Sequence, residues 1–250
     1  MGFDFPIGVP AAYGKLTGLT DFRSFLSSLG KGDWRHWFDV CSRAEEISTR
    51  RPFYPMRPGG TKRIHLEEGL GMDREALLRA CERATPHRPA ACSLFWTLGG
   101  NQVGKGAISG WREVLQPNLA QLSLWPFDGT FEQLTRTRDI VVVETYPGDV
   151  YGQIGLPAKK LWIKRTREGR QVAGTGLVRW IEQRPVVASK EMLDVMESGF
   201  TDRPVGEDQF DAVVGLFGML DVLDGRRPAA PDGLHRDTTA WEGWILGQGS

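Results

Sequence analysis

The sequence predicts an α/β domain with a central mixed sheet flanked by helices. Residues 139–144, Asp-Ile-Val-Val-Val-Glu, carry consecutive β-branched side chains without polar alternation, the pattern of a strand covered on both faces. Strand-like runs of this kind alternate along the chain with segments of helical spacing. The 250 residues, of which 40% are hydrophobic, can bury a core without disulfides or a structural metal. No internal repeat or linker divides them, so one domain over 1–250 is expected.

Each element has its own signal. Residues 2–6 read as a short apolar strand with Phe3 and Phe5, followed by a Pro-Ile-Gly-Val-Pro turn. Thr20 to Leu29 spaces Phe22, Phe25, Leu26 and Leu29 on one helical face and stops at Gly30. Helices are also expected at Asp33–Ile47, Asp73–Arg83 and Ile108–Leu115, which make residues 15–135 a helical insertion. Residues 48–63 hold Arg50, Arg51, Arg57, Lys62 and Arg63 among prolines and glycines and read as an exposed basic loop. Cys92–Leu98 is apolar enough for a strand. A second basic region, Lys159 to Arg170, precedes a helix at Asp208–Leu223, where Phe210, Val213, Val214, Phe217 and Leu220 recur with helical period before Gly225. The tail Trp241-Glu-Gly-Trp-Ile-Leu reads as a short strand or docked turn.

Composition excludes several classes. Thirty-one basic residues balance 31 acidic ones, so no chain-wide field draws a polyanion and any such site is a local patch. Three cysteines, Cys41, Cys81 and Cys92, do not form a secreted disulfide framework, and a reducing cytoplasm is the expected compartment. No uncharged apolar run approaches the roughly 18 residues of a spanning helix, so no membrane partner is expected.

Carboxylates carry the candidate chemistry. Asp4 lies inside or just after an apolar strand, Glu144 ends the β-branched strand, and Asp208 and Asp211 share a helix face. In α/β sheets the carboxyl ends of strands line the ligand crevice. Clustered carboxylates raise one another's pKa unless a cation neutralises them, so their convergence would form an oxygen-rich site for Mg²⁺ or Mn²⁺. Plain structural duties compete: Asp208 as a favourable charge at a helix N-terminus, Asp211 paired with an arginine, Glu144 paired with Lys159 or Lys160, and Asp4 as a turn residue.

Other motifs are weaker. Gly99 to Lys105 resembles a phosphate-binding loop, but Gly106 stands where a Ser or Thr hydroxyl is required. Ser109 sits one position late for a nucleophile elbow. Cys81, His87 and Cys92 have unusual spacing for zinc. Most of the nine tryptophans are expected in the core.

Four segments, Phe3-Asp4-Phe5-Pro6-Ile7-Gly8, Val143-Glu144-Thr145-Tyr146-Pro147, Asp208-Gln-Phe-Asp211-Ala212 and Glu242-Gly243-Trp244-Ile245, together resemble the signature of the DUF429 family of predicted RNase H-like nucleases. The resemblance spans nearly the whole chain. It implies an RNase H-like fold and a two-metal centre in which Asp4, Glu144 and Asp211 are catalytic ligands and Asp208 is a ligand or supports one. Family members usually start with a further strand bearing an Asp-Gly, which has no counterpart ahead of residues 2–6, so the resemblance implies an N-terminally incomplete fold.

The expected activity is metal-dependent phosphodiester hydrolysis on nucleic acid, with Lys105, Lys160 or Arg165 as phosphate contacts. The alternative is an RNase H-like binding protein without nuclease activity that contacts its partner through the basic loop at 50–63.

Overall fold

The computed structural model describes residues 1–85, 89–99 and 103–249. The chain divides into two compact units, one holding Met1, residues 3–144 and 229–249, the other Gly2 and residues 145–228. The fold is mixed α/β.

The sheet consists of β1 (Gly2–Phe3), β2 (Ser123–Leu124) and β3 (Val141–Glu144), in the order β1-β3-β2. The β-branched strand is therefore central, and Val142, Val143 and Glu144 are buried. β2 lies parallel to β3 with Ser123 beside Val141 and Leu124 beside Val142. Met1 donates its amino group to Val141 O at 2.6 Å and accepts from Val143 N at 2.9 Å, again in the parallel pattern. The described strands are parallel where the sequence predicts a mixed sheet. Long helical connections separate them, and antiparallel hairpins need short ones.

The stretch between β1 and β3 is largely helical. It comprises α1 (Ala11–Leu16), α2 (Phe22–Ser28), α3 (Ile64–Leu70), α4 (Val103–Ser109), which continues through a π-helical stretch (Gly110–Leu115) into α5 (Gln116–Asn118), and α6 (Phe131–Thr137). Asp21 caps α2 by accepting from Ser24 N at 2.7 Å. Three expectations fail here. Asp33–Ile47 forms only short 3₁₀ turns at Gly32–Trp34 and Ala44–Glu46: Trp34, Trp37 and Phe38 are buried at helical spacing, but the backbone beyond them pairs elsewhere, Cys41 N–H with Phe53 O and Met56 N–H with Cys41 O, each at 2.8 Å. Residues 73–83 contain a single 3₁₀ turn, Ala80–Glu82, since the Arg79 and Ala80 N–H groups bond to the Glu82 and Glu242 carboxylates. Residues 92–98 make one parallel bridge rather than a strand, with Tyr54 donating to Phe95 O and Thr97 to Tyr54 O.

Aromatic rings fill this core. Trp37 stacks on Trp111 at 5.1 Å and 7°, and Phe25 meets Trp34 and Trp37 edge-on. Their polar atoms are satisfied, Trp37 Nε1 by the Tyr13 hydroxyl and Trp111 Nε1 by Pro6 O, each at 2.7 Å.

The second unit is helical and has its own core: α7 (Pro147–Val150), α8 (Arg167–Glu182), α9 (Lys190–Glu197) and α10 (Val205–Leu223). Trp180 of α8 stacks on Phe217 of α10 at 4.1 Å and 11°. Arg170, within the predicted basic region, is buried and donates to Lys164 O, Gly199 O and Thr201 O at 2.6–3.0 Å, tying together the chain around α8. Among the described residues no helix is long and apolar enough to cross a membrane.

Candidate functional site

Three of the four motif segments meet in the first unit, around Arg79. β3 delivers Glu144 to the interior at its last residue, and Leu246 N–H bonds to Glu144 O at 2.9 Å, so the 242–246 segment extends the sheet edge beyond β3. The 6–9 segment crosses the 241–243 segment at close range, with Val9 N–H donating to Trp241 O at 2.8 Å. Gly8 (φ 135°) and Gly243 (φ 68°) permit that crossing, because a Cβ would stand 2.1 Å from Glu242 O at the first and 2.2 Å from Ile7 O at the second.

The Arg79 guanidinium, 1% exposed, lies in the resulting pocket of oxygens. Its Nη1 and Nη2 donate to Glu144 Oε2 and Oε1 at 2.6 and 2.7 Å, a bidentate pair. Its Nε donates to Glu82 Oε1 at 2.9 Å, and Nη1 also reaches Glu242 O at 3.0 Å. Each carboxylate is further held by the main chain. Glu144 Oε2 accepts from Ile7 N at 2.8 Å, Glu82 Oε2 from Arg79 N at 3.0 Å, and Glu242 from Ala11 N and Ala80 N, both at 3.1 Å. Burial alone would lower the Arg79 pKa, yet the Glu144 and Glu82 carboxylates around it raise it well above the ordinary arginine value. Burial raises the Glu82 carboxyl above its usual range despite Arg79. Cys81 is likewise pushed up by burial, so its thiol stays protonated and inert.

The sequence-predicted residues divide between the units. Asp4 is exposed after β1, and a hydrogen bond from its segment reaches Glu144 through Ile7 N–H. Glu144 is buried and paired with Arg79, not with Lys159 or Lys160. Lys105 is exposed on α4.

Asp208, Asp211, Lys160 and Arg165 belong to the second unit. Asp208 is exposed in the first turn of α10, the favourable end for its charge. Asp211, one turn on, accepts from the Tyr151 hydroxyl at 2.8 Å and from Lys164 Nζ at 2.5 Å, so its cation is a lysine where an arginine was the expected alternative. Lys164 also contacts Glu207 at 3.2 Å. Burial lowers its pKa, but Asp211 and Glu207 outweigh that and leave it raised. Lys160 and Arg165 are exposed, and Lys159 lies 5.0 Å over the Tyr151 ring.

These surroundings do not fit a divalent ion on Glu144. Both of its oxygens already accept charge-assisted hydrogen bonds from a guanidinium, and a cation placed there would meet Arg79 first. Among the described residues, no group of three or more His, Cys, Asp or Glu side chains is arranged to hold a metal ion. His87 of the zinc motif and Gly100 to Gln102 of the phosphate-loop motif lie outside the described residues.

Arg79, Glu82 and Glu242 were not expected at the centre. A signal existed for the first, since Arg79 interrupts the apolar run Ala76-Leu77-Leu78-Arg79-Ala80-Cys81, and a charge in such a run must be either exposed or paired. No protein-family model matches the chain, and neither a curated protein nor a solved structure matches it.

Proposed function

We propose that this chain is an RNase H-like protein that binds nucleic acid without cleaving it. One observation carries the reading: Glu144, one of the carboxylates that the resemblance makes a metal ligand, is engaged in a bidentate bond to a buried arginine. Water activation by two cations needs carboxylate oxygens that face the ions, and a guanidinium supplies positive charge but no bound hydroxide. The contact surface is the basic segment, narrowed by its geometry. Arg50 stacks over Trp34 at 3.6 Å and Arg51 donates to Val40 O, so both serve the fold. Arg57, Lys62 and Arg63 are exposed and adjacent in sequence, with no acidic residue between 47 and 66. Such a local patch supplies phosphate contacts on a chain of zero net charge.

Fluorescence anisotropy with labelled DNA and RNA tests the reading. Binding that weakens with salt and falls at least about tenfold in R57E/K62E/R63E is expected, since each lost phosphate contact removes counterion release. Equal affinity in that variant would refute the assignment. So would Mn²⁺-dependent cleavage abolished by Glu144→Ala, which would restore the hydrolase.

A further inference from the structure

Next to this segment the chain forms a shallow surface recess lined among others by Arg63, Leu66, Glu67, Arg74, Leu77 and Trp96. We infer that it is a stacking site for one unpaired nucleobase of a single strand, an inference that rests on the binding reading above. Trp96 is the platform. Its ring is partly exposed, and it is held edge-on by Tyr54 at 6.2 Å and by the parallel bridge between the same two residues. Tyr54 is fixed in turn by a 2.9 Å hydrogen bond between its hydroxyl and His65 Nδ1. The ring therefore has a set orientation before any ligand arrives, which limits the ordering cost of stacking.

Arg63 stands at the mouth, its guanidinium carbon 5.7 Å from the Trp96 centroid and Nη2 3.6 Å from Cys92 Sγ. At that distance it is a loose cover that a flat ring can displace or share, and guanidinium and indole are the two side-chain faces that stack best on bases. Arg74, on the recess wall, is exposed and has no ion-pair partner among the described residues, which leaves its donors for a flanking phosphate. Leu66 and Leu77 close the floor with apolar surface. Glu67 is the one acidic group in the lining, and it biases the choice of base: a carboxylate accepts from the exocyclic amines of cytosine, adenine and guanine, whereas thymine and uracil have no exocyclic amine and offer only a ring N3–H between two carbonyls. A duplex cannot use the recess without flipping a base out, so single strands are preferred.

The test compares short fluorescein-labelled oligo-dC, oligo-dA, oligo-dT and a duplex on the wild type, Trp96→Ala, Trp96→Phe and Glu67→Gln, with circular dichroism melts to verify folding. Wild type is expected to favour dC and dA over dT severalfold. Trp96→Ala should lose about tenfold in single-strand affinity while duplex binding through Arg57 and Lys62 persists, and Trp96→Phe should recover most of it. Glu67→Gln should level the base preference. Single-strand binding unchanged in a folded Trp96→Ala would overturn the stacking site and leave the binding reading intact. Absence of binding to any of the four oligonucleotides by the wild type would overturn both.

Discussion

The two units treat a candidate carboxylate in opposite ways. Glu144 is 5% exposed and locked to a guanidinium by two parallel hydrogen bonds, with a third from the Ile7 main chain. Asp211 sits at the edge of α10, shared between a tyrosine hydroxyl and an ammonium group whose side chain is about one-third exposed. The chemistry of the partner explains the contrast. A planar guanidinium can be buried if carboxylates match its fork, and the donors of Arg79 are met by Glu144, Glu82 and Glu242 O. A lysine is strongly hydrated, keeps water access, and leaves its aspartate only half-committed. A buried carboxylate therefore says little about reactivity until its counterion is known.

Mutations can break this contrast. Arg79→Ala is expected to have the largest effect, because it strands the Glu144 and Glu82 carboxylates in the interior: about 3–5 kcal/mol lost in urea unfolding of the first unit. Adding Glu144→Leu to an Arg79→Leu background should recover part of that, as apolar filling replaces an orphaned charge; no recovery would mean that the pair is not the centre's main support. Gly8→Ala should cost about 2–3 kcal/mol, since it combines a left-handed φ with a Cβ driven into Glu242 O, and thermal melts would register it. Asp211→Ala is expected to cost only about 1 kcal/mol, because its lysine partner is screened by solvent. The smallest effect is pH-linked. The folded pKa of Lys164 is raised, so its contribution is fully present below the ordinary lysine value of 10.5 and disappears as pH climbs through the folded value. Melting temperatures of wild type and Lys164→Met should converge above that pH, and a constant gap would assign the side chain a packing role instead.

Much of the framework is legible in the sequence. The central β3 strand, α2 and the long α10 follow from β-branched runs and helical spacing, because in each of them local preference and burial agree. The segments at 33–47 and 73–83 mislead for a common reason. Both contain good helix formers, and in both the chain answers to distant partners: the Trp34 and Trp37 rings to a core assembled from α2 and Trp111, the Arg79 guanidinium to Glu144 and the Ala80 amide to Glu242. The candidate site was half visible. Glu144 at a strand end marked the right place, and the resemblance drew the 242–245 segment to attention. The cation at that place came from residue 79, far from both in sequence and outside any short motif.

The discontinuity of the first unit has a consequence for how the molecule is made. Its pieces, 3–144 and 229–249, are separated in the chain by all of residues 145–228. During synthesis Arg79 and Glu144 emerge long before Glu242, whose carbonyl and carboxylate close the centre and anchor Ala11 and Ala80. The nascent first unit therefore keeps its charged centre open to water until residues 241–243 are made and pack against Gly8 and Val9.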